Sequence, residues 1–143
     1  MESCFVIQPF DKDKFDQRYT DIFEPAIREA GIEPCRVDRD PSVRIPIEQI
    51  EEGIKSAKIC FAEITLDNPN ILNELGFAFA SGKDVVMVTE ERQKFPINSQ
   101  HRQVINYKTT SKSDYEKLEI NIKNKLVVLL GRQKSVKQII DKK

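Results

Sequence analysis

The sequence predicts a single α/β domain in which a mainly parallel, doubly wound sheet of five strands lies between two layers of helices. Short apolar runs recur along the chain, and segments with helical apolar spacing separate them. The 143 residues, of which 39% are hydrophobic, suffice for one core. Strands that alternate with helices imply right-handed crossovers, and therefore a parallel sheet covered on both faces.

The predicted strands are short apolar runs bounded by polar or turn-forming residues. Residues 4–7 are apolar throughout, which predicts a central strand buried on both faces. Residues 33–37 form a weaker strand, and residues 104–107 are predicted at an edge of the sheet. The remaining two buried strands are residues 59–62 and 85–88.

Four helices are predicted from apolar residues at helical spacing. Residues 15–30 form the first, and Pro25 inside it predicts a kink or a break. Pro46 can open the second helix, and Asn68-Pro69 can cap and open the third. The last helix follows residues 113–116, whose S-x-x-E pattern is that of a capping box.

This layout is a three-layer sandwich of the flavodoxin-like or Rossmann-like kind. In such sheets a ligand binds beyond the carboxyl ends of the strands, where the order of strands reverses. Four polar loops are predicted at that end, at residues 8–12, 38–44, 63–70 and 90–98. We therefore expect a site built from these loops.

Glu74 is the leading candidate for a site residue. Capping by Asn68 would place Glu74 in the second turn of the third helix, near the positive end of the helix dipole. It lies at the edge of the apolar stripe, and Asn70 one turn earlier can hold its carboxylate through a hydrogen bond. The pattern leaves open a structural alternative, in which Glu74 supports the helix dipole and reaches water.

The residues around Glu74 resemble a known superfamily. The specific part is the N-P-N-x-x-x-E-L-G-x-A string at residues 68–78, and residues 5–10 and 59–65 with Gly82-Lys83 add to it. These segments are similar to the nucleoside deoxyribosyltransferase-like and TIR-like domains, over roughly residues 4–107.

The resemblance implies a flavodoxin-like fold that cleaves or exchanges an N-glycosidic bond in a nucleoside, a nucleotide or NAD. It also implies that Glu74 acts as nucleophile or electrostatic stabiliser at the sugar C1′, where bond cleavage builds oxocarbenium character. No cofactor is expected. Some members of the TIR-like branch are expected to be immune or anti-viral effectors, and members often self-associate.

Two positions depart from the superfamily pattern. Glu63 stands where an Asp is usual, and Asn68 stands where the transferases tend to carry an acid. The second departure favours the broader TIR-like branch. Glu63 can orient a ribose hydroxyl or assist protonation of the leaving base, and it can equally cap the loop before Asn68.

The segment after the first strand supplies candidates for binding a nucleobase. Gln8 can hydrogen-bond to the edge of a base and Phe10 can stack on it, with core packing as the alternative for the aromatic ring. Pro9 lies between them in the same matching segment and is included in the predicted site.

Two other loops supply candidates for the sugar, the phosphate and a cover. Asp38 follows the second strand, where nucleotide-binding folds often place an acid for ribose hydroxyls. Arg44 can meet a phosphate, although loop arginines are usually solvated. Asn98 ends the F-P-I-N segment that precedes the last strand and can cover the site.

Composition limits the classes of partner. Charged residues make up 32% of the chain and balance to zero, so no global field attracts nucleic acid or an anionic membrane. The apolar run at residues 126–130 is too short to span a bilayer, and a cytoplasmic location is expected. The three cysteines lack the spacing of metal ligands and are predicted to be buried thiols within strands, so no metal is expected.

The C-terminal region is expected to have a separate character. The predicted domain comprises residues 1–131, and residues 132–143 form a basic, frayed tail. Residues 126–130 can pack against a second copy of the chain, which predicts a homo-oligomer. The functional prediction is an N-glycoside hydrolase or transferase, with a non-catalytic module that senses a nucleotide or oligomerises as the alternative.

Overall fold

The computed structural model describes residues 2–37, 46–66, 68–91 and 104–141. The elements follow in chain order: β1 Ser3–Ile7, α1 Lys14–Arg18, a π-helical turn Tyr19–Phe23, α2 Glu24–Glu29, β2 Glu33–Arg36, α3 Ile47–Ser56, β3 Ile59–Glu63, α4 Pro69–Ala80, β4 Val85–Glu90, β5 Val104–Tyr107 and α5 Lys112–Asp141.

The five strands form one parallel sheet in the order β2-β1-β3-β4-β5. This is the flavodoxin-like order, and the direction of winding reverses between β1 and β3. The predicted fold class is confirmed, as are the central position of β1 and the edge position of β5. The crevice between the carboxyl ends of β1 and β3 is the place where this fold binds ligands.

Apolar side chains cover both faces of the sheet, because successive residues of a strand point to opposite sides. On one face Val6, Phe61 and Val88 pack against the first helical segment and α5. On the other face Phe5 and Cys60 pack against α3 and α4 with the other residues of a second cluster. Two buried faces explain why the strands are continuous apolar runs.

The disturbance predicted at Pro25 takes the form of the π-helical turn Tyr19–Phe23, directly before α2. Proline has no N–H to donate to the carbonyl of Asp21, and its ring would collide with that carbonyl in a regular α-helix. A wider turn removes this collision while the chain continues in one direction. Tyr19, Ile22 and Phe23 remain buried.

The last helix begins earlier than its sequence pattern indicates. Ser111 Oγ accepts a hydrogen bond from Asp114 N at 3.2 Å, and Asp114 Oδ2 accepts from Ser111 N at 3.0 Å. The reciprocal cap therefore joins these two residues, and the prediction of a capping box at residues 113–116 is wrong. Asp114 serves as well as Glu because its shorter side chain reaches the amide of the cap residue.

Helix α5 continues through Gly131 to Asp141, so the segment predicted as a frayed tail is helical as far as residue 141. Its 30 residues give a length of about 45 Å. Its buried residues, Leu118, Ile122 and Leu126, all lie in the first half. Leu126, Leu129 and Leu130, which lie in the segment predicted to meet a second copy, instead pack in the core of the same chain. From Gly131 to Asp141 the helix continues as an extension without buried residues.

The cysteines divide into two groups. Cys4 and Cys60 are buried in central strands, as predicted, whereas Cys35 is exposed. The prediction is wrong for Cys35. It lies in β2, an edge strand, which is less buried than the strands inside the sheet.

Candidate functional site

The segments that follow β1 and β3 leave the sheet side by side. Ile7 of β1 is paired with Ala62 of β3 in the parallel register, so Gln8 and Glu63 come next at the same level. The structure therefore brings together two of the loops that the sequence places in the site. Both lie at the reversal point, where sheets of this topology bind ligands.

Glu74 lies in the second turn of α4 and is only 8% exposed. The start of this helix is as predicted, because Asn68 caps it by accepting a hydrogen bond from Asn70 N at 2.9 Å and Pro69 occupies the first turn. Glu74 therefore does not extend into water as the structural alternative requires. The positive end of the helix dipole favours a negative charge at this position.

Glu63 is fully buried at the end of β3. Its parity in the strand is that of Phe61, which places its side chain on the face covered by α1 and α5, opposite to α4. Oε1 accepts a hydrogen bond from Thr65 N at 2.5 Å, and Oε2 accepts from the hydroxyl of Tyr107. Glu63 thus holds the beginning of the loop to α4, which is the second of the two roles left open by the sequence.

Burial raises the pKa of Glu63, and hydrogen bonds from Thr65 and Tyr107 counteract part of that effect. The pKa of Tyr107 is also raised, first by burial and then by the adjacent Glu63. A direct catalytic role for Glu63 beside Glu74 stays a prediction.

A buried polar network, which we call the Arg18 network, extends from Glu63 across the sheet. It comprises Glu63, Thr65, Tyr107, Arg18 and Glu90. Arg18 donates to the Tyr107 hydroxyl at 3.0 Å and to Glu90 Oε1 at 2.5 Å, and Glu90 N donates to Thr65 Oγ1 at 3.0 Å. Burial lowers the pKa of Arg18, but the hydrogen bond to Glu90 and the nearby phenols raise it by more. The net pKa is therefore raised, and the guanidinium stays charged.

The sequence did not predict an individual site role for Arg18, Glu90 or Tyr107, although Glu90 begins the predicted site loop at residues 90–98. Glu90 and Tyr107 are paired in register at the carboxyl ends of β4 and β5. The available signal was a polar residue at the end of each apolar strand, on the same parity as the buried residues before it. Arg18 has no such signal, because its position depends on how α1 packs across the sheet.

Gln8 is 6% exposed and is oriented by two carbonyl groups. Its Nε2 donates to Phe15 O at 3.3 Å and to Pro9 O at 3.5 Å, which fixes the direction of the amide. Within the described ranges its Oε1 is buried without a hydrogen-bond partner. Such an acceptor at the reversal point is suited to a hydrogen-bond donor of a ligand. Pro9 is buried beside it.

Phe10 is half-buried and contacts a cation. The Arg36 guanidinium lies 5.0 Å from its ring centroid and 4.8 Å from that of Tyr19. Arg36 is also ion-paired with Asp16. The cation–π contact fixes the ring near the end of β1. Stacking of a base on Phe10 stays a prediction.

The other predicted site residues are placed in part. Asn70 is exposed, and its backbone N–H donates to the Asn68 side chain in the helix cap. The predicted hydrogen bond from the Asn70 side chain to Glu74 stays a prediction. Asp38, Arg44 and Asn98 lie outside the described residues.

A cavity of about 540 Å³ lies beside the Arg18 network, between α1, the π-helical turn and the beginning of α5. Arg18 and Tyr115 form part of its wall, and Glu74 does not line it. Within the parts of the chain that the structure describes, no group of three or more His, Cys, Asp or Glu side chains is arranged to hold a metal ion. Of the helices in those parts, none is both long and apolar enough to cross a membrane.

No protein-family model and no curated protein matches this sequence. Solved structures share the fold. A CMP N-glycosidase of Clostridium botulinum is 20% identical with a TM-score of 0.60, covering 83% of this chain and 99% of its own. A diflavin flavoprotein of Nostoc sp. is 14% identical with a TM-score of 0.64, covering 93% of this chain and 96% of its own.

A TIR domain from the heterodimer of RPS4 and RRS1 is also similar, at 12% identity and a TM-score of 0.51, covering 87% of this chain and 96% of its own. At these identities the likeness shows the fold, which is shared by glycosidase, flavoprotein and TIR domains. The chemistry of this chain depends on the residues of its site.

Proposed function

We propose that this protein breaks the N-glycosidic bond of a nucleoside, a nucleotide or NAD, with Glu74 acting at the sugar C1′. The observation that carries the proposal is the burial of Glu74 in the second turn of a capped helix that begins just beyond the carboxyl end of β3. Folds of this topology bind ligands at that end of the sheet, which supports Glu74 as the carboxylate that meets the substrate.

The chemistry follows from the charge that develops during bond cleavage. The bond from C1′ to the base nitrogen breaks with both electrons leaving on the base, and positive charge develops on the sugar. Glu74 stabilises that charge or bonds covalently to C1′. In hydrolysis, water then supplies a hydroxyl to C1′ and its remaining proton goes to the base. In transfer, a second base takes the place of water.

Two observations support this choice of substrate class. The C. botulinum structure with the same fold is a CMP N-glycosidase, whose name gives a nucleotide as the compound that it cleaves. The buried Oε1 of Gln8 offers an acceptor to a donor group of a base at the crevice. The N-P-N-x-x-x-E-L-G-x-A string around Glu74, which resembles that of the nucleoside deoxyribosyltransferase-like and TIR-like domains, supports the same substrate class.

The proposal is tested by incubating the purified protein with NAD, nucleosides and nucleotides and measuring the free base by chromatography. We expect the wild type to release base and Glu74→Gln to reduce the rate by at least about a hundredfold, because an electrostatic or covalent contribution at C1′ is lost. Glu48→Gln, on the exposed first turn of α3, is the matched control and should retain the wild-type rate. Adding a second free base distinguishes transfer from hydrolysis.

Equal rates for Glu74→Gln and wild type would contradict the role of Glu74. If the wild type releases no base from any of these compounds, but one of them raises its melting temperature, the non-catalytic sensing module becomes the better account.

A second candidate function, assembly, is favoured by the extension of α5. Val136, Ile139 and Ile140 are more than half exposed on this part of the helix. Val136 and Ile140 line a groove of about 490 Å³ that is completed by Lys58 and Asp84 at the amino ends of β3 and β4. Exposed apolar residues that line a groove are typical of a surface that binds another protein chain. We propose a second copy of this chain as the partner.

A further inference from the structure

We propose that Tyr107 and Arg18 are positioning residues that act through Glu63 to hold the loop between β3 and α4, and therefore the beginning of the helix that carries Glu74. The consequence for catalysis rests on the proposed function. The effect on the loop does not, and it can be measured without any substrate.

The loop that follows β3 is attached to the sheet at Thr65. Thr65 is held at two atoms: its N–H donates to Glu63 Oε1 at 2.5 Å, and its Oγ1 accepts from Glu90 N at 3.0 Å. Ile64 N donates to Val88 O at 2.9 Å, which continues the pairing of β3 with β4. The cap residue Asn68 follows three positions after Thr65, and its own N–H donates to Leu66 O at 2.9 Å. The cap residue is thus bonded to Leu66, the direct neighbour of Thr65, and this is the connection through which we expect Thr65 to influence the cap of α4.

The second step is the orientation of Glu63. A fully buried carboxylate is unfavourable unless both of its oxygens are hydrogen-bonded. Thr65 satisfies one oxygen and the Tyr107 hydroxyl satisfies the other. The hydroxyl has one proton to donate, and the hydrogen bond that it accepts from Arg18 directs this proton toward Glu63. Arg18 therefore fixes Tyr107, and Tyr107 fixes Glu63.

The third step is the rigidity of Arg18. Its guanidinium lies 5.3 Å, 5.6 Å and 5.8 Å from the ring centroids of Phe15, Tyr107 and Tyr115. Glu90 accepts from it at 2.5 Å, and Lys14 Nζ lies 3.4 Å from the same carboxylate oxygen. Contacts on several sides confine the guanidinium to one orientation. The network thus connects α1 and the edge strand β5 rigidly to the loop.

The polar composition of this network argues for positioning. Apolar residues of the same volume would give comparable stability at such a buried place, so stability by itself does not require two acids, an arginine and a tyrosine. Hydrogen bonds have direction, and a fully satisfied network selects one arrangement of the groups that it joins. In this protein, the Arg18 network joins the loop before α4 to the rest of the fold.

The test compares two variants that each remove one phenol hydroxyl next to Arg18. Tyr107→Phe removes the hydrogen bond to Glu63. Tyr115→Phe is the matched control, because the Tyr115 ring also faces Arg18 while its hydroxyl takes no part in the network among the described residues. Amide hydrogen exchange is measured at Thr65 and Asn70, the amides of the loop and of the cap.

We expect Tyr107→Phe to accelerate exchange at Thr65 and Asn70 on the order of tenfold, as loss of a hydrogen bond to a charged group implies. Tyr115→Phe should leave both rates unchanged. Arg18→Lys keeps the charge but loses the forked geometry, so it should change both rates in the same direction, and it replaces Tyr107→Phe if that variant does not fold.

In the base-release assay, Tyr107→Phe should lower kcat about tenfold with little change in KM, because the groups around Glu74 are misplaced while binding contacts remain. The acid limb of its pH profile should move to higher pH, because the Tyr107 hydrogen bond lowers the pKa of Glu63. Protonation of Glu63 adds an O–H donor that competes with the donors from Thr65 and Tyr107. A purely structural role would lower the melting temperature without moving that limb.

Unchanged exchange at Thr65 and Asn70 in both Tyr107→Phe and Arg18→Lys would overturn the inference, whatever happens to the melting temperature. Acceleration confined to Tyr107→Phe and Arg18→Lys would support it. If the wild type releases no base, the proposed function fails, and the exchange rates still decide whether Tyr107 and Arg18 position the loop.

Discussion

Glu63 and Glu74 are two buried acids in different surroundings. Glu63 belongs to the Arg18 network, and its two oxygens accept hydrogen bonds from the Thr65 amide and the Tyr107 hydroxyl. Glu74 lies in the second turn of α4, where the helix dipole favours negative charge. Two carboxyl groups in different surroundings can thus have separate roles that are set by their environment. We assign position to the first and chemistry to the second.

The raised pKa of Glu63 predicts a pH dependence of stability. A carboxyl whose pKa is higher in the folded than in the unfolded state contributes stability below the unfolded value, and this contribution is lost as the pH rises through the folded value. Relative to Glu63→Gln, the wild type should therefore become less stable as the pH is raised above about 4.5, the ordinary value for this group. Urea unfolding of both proteins from pH 4 to 8 measures the difference, and a difference that is constant across this range would contradict the prediction.

At the scale of single elements, the distance between α3 and β1 depends on one glycine. A Cβ added at Gly53 would lie 2.7 Å from Phe5 Cε2, and Phe5 is fully buried. Helix α3 can therefore approach the sheet at that point only because residue 53 has no side chain. Gly131 in α5 is different, because nothing lies within 4 Å of a Cβ added there.

Alanine at these two glycines should have opposite effects on stability. We expect Gly53→Ala to destabilise the protein by roughly 1–3 kcal/mol, since Phe5 or α3 must shift. Gly131→Ala should stabilise it by roughly 0.5–1 kcal/mol, because alanine favours a helix interior and meets no neighbour here. Chemical denaturation gives both values. Stabilisation by Gly53→Ala would show that the contact between α3 and β1 is not tight.

At the scale of the whole molecule, the extension of α5 carries the surface that we propose for assembly. The buried residues of α5 end at Leu126. Beyond them, Gln133 Nε2 donates to Asp84 Oδ2 at 2.7 Å and to Lys58 O at 3.3 Å. These two contacts connect the extension to the amino ends of β3 and β4. The core does not depend on them.

A chain that ends at residue 131 should keep its fold and lose self-association. We expect a loss of about 1–2 kcal/mol in stability, corresponding to the hydrogen bonds of Gln133. Sedimentation should show a concentration-dependent mass for the full chain and a monomer for the shortened one. In the full chain, Ile140→Lys should act like the truncation, whereas Val127→Lys, on the opposite side of α5, should not. A monomeric full chain at all concentrations would exclude assembly through this surface.

The sequence by itself determined the fold class and the start of α4. Apolar runs at residues 4–7, 59–62 and 85–88 can be satisfied only by a sheet that is covered on both faces, and Asn68-Pro69 uses local geometry to begin a helix. Both signals are local, since they depend on spacing within a few residues. The position of Glu74 in the second turn follows from the same spacing.

The tertiary structure alone decided which face Glu63 occupies and which residues meet it. Arg18, Tyr107 and Glu90 are distant from Glu63 in the chain. They meet because Arg18 of α1 reaches the carboxyl ends of β4 and β5, and Tyr107 at the end of β5 reaches Glu63. The hydrogen bonds that define this network depend on the packing distance and orientation of α1, which no spacing in the sequence encodes. The cap of α5 is an intermediate case. S-x-x-E and S-x-x-D patterns overlap at residues 111–116, and only the structure shows that Ser111 and Asp114 form the cap.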